Sequence, residues 1–360
     1  MNMSKLLLAI AALFIGFSAM GQDVVYVDAS VFPVYGKISE ETNERYERLP
    51  ARLEGISRKA VWTRGRHSSG LYIRFRSNST SIHAKWESLF NNTYNHMTDI
   101  CTKGLDLYAL VDGKWRFVAP GRPSADGVST FTLAKNMTPV DREFMLYLSM
   151  YDGVKSIEIG VDKGAYIEQP AVNSPSQKKP IVMYGSSILQ GGCASRPGMA
   201  FTNIISRETD RTVFNLGFSG NALLDMEIAE LMASVKDPGL FILDYVPNSK
   251  AERIREAGED FFRIIRKAHP DVPVIFVEDS YVPRTEFNTK NHEDIKSRNQ
   301  EQKALFKRLK KAGEKNIYYV PAEGMIGDDG EATVDSRHYT DLGNIRYVEH
   351  IMPVIRKALR

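Results

Sequence analysis

Two short segments of this 360-residue chain carry residue types whose spacing could do chemistry. Lys179-Pro-Ile-Val-Met-Tyr184 runs into Gly185-Ser186-Ser187-Ile188-Leu189-Gln190-Gly191-Gly192, and Asp335-Ser336-Arg337-His338 lies near the far end. A serine hydroxyl is a poor nucleophile until a neutral imidazole takes its proton. The imidazole works best when a carboxylate fixes its tautomer and stabilises the imidazolium. Of the 7 histidines, only His338 has a carboxylate three residues before it. Either half alone has a plainer explanation, because Ser is a preferred helix N-cap and Asp a preferred turn residue. Together they assign Ser187 as nucleophile, His338 as general base and Asp335 as its orienting carboxylate, which is the layout of a serine hydrolase.

Two further segments sit where donors to a developing oxyanion would be built. Thr212-Val-Phe-Asn-Leu-Gly-Phe-Ser219-Gly220-Asn221 offers glycines whose N–H groups a ligand can approach closely. Leu240-Phe-Ile-Leu-Asp244-Tyr-Val-Pro-Asn248 ends in a side-chain amide. Preorganised donors of this kind are often the largest catalytic factor in acyl transfer.

These four segments resemble the SGNH hydrolases, also called the GDSL esterase and lipase family, whose marker residues are Ser, Gly, Asn and His in this order. The resemblance covers roughly residues 178 to 360. It implies Ser187 as nucleophile, an oxyanion hole of the Ser187 amide, Gly220 and Asn248, and a triad completed by Asp335 and His338. Two positions depart from the common pattern. Ser186 stands where the family name has Asp, and Asp244-Tyr-Val-Pro-Asn248 replaces the more usual Gly-x-Asn-Asp. A subgroup with Tyr-Gly-Ser-Ser-Ile is more similar still, and its members often carry an N-terminal domain marked Gly-x-Asp-Leu-Tyr, here Gly104-Leu-Asp106-Leu-Tyr108. Attachment of such a domain to a secreted hydrolase resembles carbohydrate esterases that remove acetyl groups. The implied substrate is therefore an acylated carbohydrate, with lipid or general short-chain esters as the alternative and a non-catalytic glycan-binding protein as a third class.

The elements that must position these residues fall into two rhythms. From about residue 23 to 173 apolar residues alternate over short runs, at Ile56 to Trp62, Leu71 to Arg76, Ser81 to Trp86, Leu105 to Val111, Arg116 to Ala119, Phe144 to Leu148 and Ser156 to Val161. Period-two patterning predicts an antiparallel β-sandwich or jelly roll. On a strand, Asp106 and Tyr108 share one face, and Gly104-Leu-Asp-Leu-Tyr reads first as that strand. Beyond it, apolar strands at 180–185, 212–217, 240–246, 273–278 and 316–321 alternate with helices near 199–209, 223–235, 251–268, 292–312 and 340–358. Five βα units predict an α/β, flavodoxin-like parallel sheet covered on both faces. The expected organisation is a signal peptide at 1–21, a sandwich domain at 22–173, a Ser/Lys/Pro-rich linker at 174–180 and a hydrolase domain at 181–360.

The leader follows from Lys5, the apolar stretch Leu6 to Phe17 and Ala19-Met20-Gly21 before Gln22. Export to the periplasm or the medium is expected, with no membrane span after cleavage. Lys and Arg number 47 against 44 Asp and Glu, a near balance that argues against nucleic acid as partner. No cofactor is expected, since Gly-x-Gly-x-x-Gly, Walker and His-Glu-x-x-His motifs are missing and Cys101 and Cys193 cannot build a cysteine zinc cluster. Those two cysteines are either one disulfide or two buried thiols. Trp62, Trp86 and Trp115 suit either core packing or a sugar-stacking surface. The loop Asn91-Asn-Thr-Tyr94-Asn-His96-Met97 offers aromatic and polar groups, with Tyr94 and His96 as candidate substrate contacts.

Overall fold

The computed structural model describes residues 23–174 and 178–360. The expected leader and the middle of the expected linker lie outside the described residues.

Among the described residues, ten strands make up the first half: β1 (Val24–Asp28), β2 (Val34–Tyr35), β3 (Tyr72–Ser77), β4 (Ile82–Ser88), β5 (Leu105–Val111), β6 (Lys114–Gly121), β7 (Val128–Ala134), β8 (Arg142–Tyr147), β9 (Val154–Asp162) and β10 (Ile167–Glu168). They form two antiparallel sheets, β1-β9-β4-β7 and β10-β3-β8-β5-β6, with β2 on β3. Their inward faces share a core of Ile73, Phe75, Trp86, Leu107, Phe144 and Ile159. Two short helices, α1 (Lys59–Gly65) and α2 (Asp99–Lys103), interrupt the strands.

The second half is a parallel sheet of β11 (Ile181–Gly185), β12 (Val213–Gly217), β13 (Leu240–Asp244), β14 (Val274–Val277) and β15 (Ile317–Val320). Its order is β12-β11-β13-β14-β15, the flavodoxin-like arrangement, whose ligand crevice opens at the carboxyl ends of the strands where the order reverses. The connecting helices are α3 (Ser187–Gln190), α4 (Phe201–Thr209), α5 (Met226–Ala233), α6 (Ala251–Ala268), α7 (Arg284–Phe287), α8 (Thr289–Lys311) and α9 (Asp341–Ala358). Every residue of β11, β13 and β14 is buried, as strands covered on both faces require. Residues of α5, α6 and α8 pack on one face, and residues of α4 and α9 on the other. In α6 the apolar stripe predicted from period 3.6 is the buried one, at Ile254, Phe261, Phe262 and Ile265.

One expected run is overturned. Ile56 to Trp62 is not a strand. Ile56 lies in a turn, 67% exposed, and Lys59–Gly65 is α1. Val61 and Trp62 are buried not in the sandwich but, with Leu49 and Leu53, in the core on one face of the parallel sheet. The run is apolar because a helix turns two adjacent residues into the neighbouring half, and burying each such side chain is worth about 1.5–3 kcal/mol. Trp86 is buried and its Nε1 donates to the Lys103 carbonyl at 3.0 Å. Trp115 is half-buried and donates to Ser174 Oγ at 3.0 Å. The three tryptophans thus pack in separate places instead of forming one stacking surface. Both cysteines are free buried thiols.

The two halves are joined by buried polar contacts as well as by this core. Arg48, 1% exposed, donates from Nε to the His67 carbonyl at 2.9 Å and from Nη1 to the carbonyls of Asn215 at 2.8 Å and Gly217 at 2.9 Å. No helix among the described residues is long and apolar enough to cross a membrane.

Candidate functional site

The strand β11 delivers Ser186 and Ser187 into the first turn of α3. The two serines divide the roles that each could have had. Ser186 is the N-cap, its Oγ accepting from the Ile188 amide at 3.3 Å, while Ser187 is left with its hydroxyl free to point elsewhere. That hydroxyl meets His338: Ser187 Oγ and His338 Nε2 are 2.9 Å apart. His338 Nδ1 lies 2.8 Å from Asp335 Oδ2. Because a carboxylate only accepts, Nδ1 carries the hydrogen and Nε2 the lone pair. Asp335 Oδ1 also accepts from the backbone amides of Arg337 at 3.1 Å and His338 at 2.8 Å, and Ser336 takes φ 62° to close this turn. The three-residue spacing read from the sequence is therefore a tight loop folded around one carboxylate.

Burial pulls the His338 imidazole below its ordinary pKa, opposed by the hydrogen bond and charge of Asp335. Partial burial would push the Asp335 carboxyl up, but the bonds from the His338 backbone and ring, with those from Arg337, bring it below the usual carboxylate value. Both shifts favour a neutral imidazole beside an ionised carboxylate, the pairing a base needs.

The other expected residues stand on neighbouring strand ends. Gly220 follows β12 with φ +69°, a left-handed conformation that a side chain would strain, and its surroundings are open. Its N–H meets no acceptor among the described residues. Asn248 follows β13. Its Oδ1 accepts from the Ala222 amide at 3.2 Å, which fixes the carboxamide and leaves Nδ2 as the outward donor. The loop bearing Asn248 is braced by the Pro247 carbonyl, which accepts from Arg298 Nη1 at 3.0 Å and from Arg337 Nη2. Arg337 thereby ties the Asn248 loop to the His338 loop. Asp244, at the position where this chain departs from the common family sequence, is buried. Its Oδ2 accepts from the Tyr347 hydroxyl at 2.9 Å, and desolvation pushes its carboxyl well up. It is a structural carboxyl beneath the site.

Several positioning residues were not legible in the sequence. Gln190, fully buried, accepts at Oε1 from the Ser219 amide at 2.9 Å and donates from Nε2 to the Met150 carbonyl and His67 Nδ1, both at 3.1 Å. It ties the Gly220 loop to the sandwich, and nothing in its local sequence singles it out. Tyr151, also from the sandwich, donates to the Ser187 carbonyl at 2.9 Å. A Cβ on Gly192 would lie 2.8 Å from the Tyr151 hydroxyl and 3.0 Å from that same carbonyl, so only glycine fits there.

Gly-Leu-Asp-Leu-Tyr is the strand expected, and its polar face has a further use. Asp106 Oδ2 accepts from Arg196 Nη1 at 2.7 Å and from the Gly198 amide at 2.8 Å, while the Tyr108 hydroxyl accepts from Arg196 Nη1 at 2.6 Å. Desolvation pushes the Asp106 carboxyl up to about 6 against the pull of Arg196. The motif clamps the loop that follows α3. His96 is brought to the site, its ring centroid 5.6 Å from that of His338. Tyr94 stands one step further out, against His96 at 6.1 Å and Tyr151 at 5.6 Å.

An open cleft of about 730 Å³ lies on the His96 side of the site, where apolar Met97, Val334 and Leu342 stand among polar groups that include Asn95, Ser195 and Asp341 together with His96 and Cys193. A more enclosed hollow of about 370 Å³ beside Met325 and Ile326 contains none of the expected site residues.

Comparison with known proteins bears on the family and the fold. The family model of GDSL-like lipases and acylhydrolases matches residues 178–356, and the GxDLY model, the N-terminus of SGNH-hydrolase-type esterases, matches residues 24–167. No curated protein matches the chain. A solved structure described as a GDSL-like lipase, from Bacteroides ovatus, is 37% identical with a TM-score of 0.89, covering 94% of this chain and 98% of that one. A salicylyl-acyltransferase from a tetracycline biosynthetic pathway is 17% identical with a TM-score of 0.73, covering 94% and 99%. An acetyl xylan esterase from the rumen bacterium Butyrivibrio proteoclasticus is 11% identical with a TM-score of 0.54, covering 93% and 98%. The last two likenesses concern the fold.

Proposed function

Given that the chain belongs to the GDSL-like lipase/acylhydrolase family, we propose that it is an exported serine esterase that removes short acyl groups, acetyl above all, from carbohydrate. The observation that carries the chemistry is the unbroken chain of hydrogen bonds Ser187–His338–Asp335. In this reading Ser187 Oγ attacks the ester carbonyl as its proton passes to His338 Nε2. The Ser187 and Gly220 N–H groups and Asn248 Nδ2 hold the oxyanion, and the imidazolium returns the proton to the departing alcohol. Water then attacks the acyl-enzyme by the same route, so that one ester and one water give one acid and one alcohol. The leaving alcohol departs on the His338 side, and the cleft there is open and lined by both apolar and hydrogen-bonding groups. The hydrogen-bonding groups suit the hydroxyls of a sugar, and the apolar side chains suit its C–H faces. Export rests on the Lys5 and Leu6–Phe17 pattern.

The deciding experiment is acetate release from a panel of acetylated polysaccharides, set beside 4-nitrophenyl esters of increasing acyl length. Acetate release together with a preference for acetyl over octanoyl is expected. A preference for long acyl chains with no glycan deacetylation would replace the proposal with lipid hydrolysis, and no turnover of any ester would leave a binding protein. Changing both Tyr94 and His96 to Ala should impair glycan deacetylation by about tenfold or more while sparing a small aryl acetate, because the loop stands on the alcohol side. Equal losses on both substrates, or none, would remove this loop from substrate selection.

The depressed His338 pKa sets the acid limb of the pH–rate profile. Only neutral imidazole accepts the Ser187 proton, so turnover falls as pH drops through the His338 pKa. That midpoint should lie below the ordinary imidazole value of about 6.5. A limb centred above that value, or no limb when chemistry limits the rate, contradicts the assignment.

A further inference from the structure

Beside the proposed base, three donors of metal-ligating type converge from three separate loops. One ring nitrogen of His96, the Sγ of Cys193 and one ring nitrogen of His338 lie within 4.8 Å of one another. Each histidine has its other nitrogen already engaged. His338 Nδ1 donates to Asp335, and His96 Nδ1 lies 3.1 Å from Asn95 Oδ1, an atom that can only accept. In both rings the lone pair is therefore on Nε2, the orientation that a carboxylate or carbonyl partner imposes on zinc-ligating histidines. Cys193 holds φ 66°, a left-handed conformation that disfavours residues with a Cβ, so the thiol sits at a position where glycine would be easier. Its Sγ is kept near His96, donating to the His96 carbonyl at 3.4 Å. His96 and Cys193 both line the open cleft, which gives an ion a route in from solvent.

We propose that His96, Cys193 and His338 form a binding site for a borderline-soft divalent cation, Zn²⁺, whose occupation reversibly switches off ester hydrolysis. The inhibitory half of this proposal rests on the reading of His338 as the base. Two imidazoles and a thiolate suit Zn²⁺ and are too soft for Mg²⁺ or Ca²⁺. Around a tetrahedral zinc such donors stand about 3.3–3.6 Å apart, so the side chains would close by about 1 Å. The Cys193 S–H bond gives up its proton to solvent as the sulfur–zinc bond forms, and water completes the fourth position. The lone pair on His338 Nε2 can hold either the metal or the Ser187 proton, but not both. No contiguous motif announces the site, because its ligands come from positions 96, 193 and 338.

The test uses the full chain, stripped with a chelator. Wild type, Cys193→Ser, His96→Ala and Ser187→Ala are titrated with Co²⁺, following the thiolate-to-cobalt charge-transfer band, and with Zn²⁺ by calorimetry. One cation per chain is expected for wild type and Ser187→Ala. The cobalt band should vanish in Cys193→Ser, and zinc affinity should fall about tenfold or more in both Cys193→Ser and His96→Ala. Wild-type hydrolysis should decline along the calorimetric zinc isotherm, each variant being compared with its own metal-free rate. Failure of wild type to bind either cation, or undiminished binding by both ligand variants, overturns the site. Binding that leaves wild-type hydrolysis intact overturns the inhibition. The binding readout needs no turnover, so absence of any esterase activity would count against the proposed function and leave the metal site to be judged by the cobalt band.

Discussion

Ser187→Ala should reduce ester turnover by about 10⁴- to 10⁶-fold and leave the fold untouched. The hydroxyl's recorded partner is His338 Nε2, and the helix cap is made by Ser186, so deleting Oγ removes no structural bond. Thermal unfolding and circular dichroism of the variant should overlay those of wild type. The residual rate should still exceed that of water, because the donors at Gly220 and Asn248 remain. His338→Ala should match it in size, and the double variant should be scarcely worse than either, since residues that act as one unit do not contribute additively. A folded Ser187→Ala protein with wild-type turnover would end the nucleophile assignment.

Asp106→Ala should give the largest loss of stability among single changes outside the core, about 2–3 kcal/mol. Asp106 is fully buried and holds both the Arg196 guanidinium and the Gly198 amide, while the Arg196 side chain is 19% exposed. Removing the acid strands a mostly buried cation and an amide together, although the partial exposure of Arg196 keeps the cost toward the lower end for such pairs. Asp106→Asn retains an acceptor and should lose less. Denaturant midpoints measured by tryptophan fluorescence and by circular dichroism check this. An unchanged midpoint for Asp106→Ala would mean that Gly-Leu-Asp-Leu-Tyr does not clamp the loop after the nucleophile helix.

The α/β half was nearly transparent to sequence reasoning because parallel strands and amphipathic helices leave strong, local patterns. The five strands and the helices α4, α5, α6, α8 and α9 lie within about three residues of their expected bounds at each end. The hydrogen-bonded pair of the proposed triad was legible for a similar reason, since Asp335 and His338 sit on one short loop. Contacts that depend on which half faces which left no local trace. Ile56 to Trp62 read as a strand because period analysis assumes that a run packs within its own domain, whereas Val61 and Trp62 pack under the neighbouring sheet. Gln190, Tyr151 and Arg196 are single polar residues whose partners are distant in sequence, so their roles appear only when the chain is folded. His96 and His338 were each singled out, but their convergence with Cys193 on one point escaped for the same reason.

Arg48 bears on how such a chain could be recombined. Its buried guanidinium is satisfied by main-chain carbonyls, two of them on β12, and carbonyls are present whatever the side chains there. A graft that kept residues 181–360 and exchanged the sandwich would need a cation at this point to fill the space and bind those oxygens. Without one, two carbonyls beneath the Gly220 loop would lose their partner, at about 1–3 kcal/mol each if they stay dry. The sandwich therefore behaves as an internal buttress of the Gly220 loop, and exchanging it would be repair work on the proposed reaction centre as much as a change of binding surface.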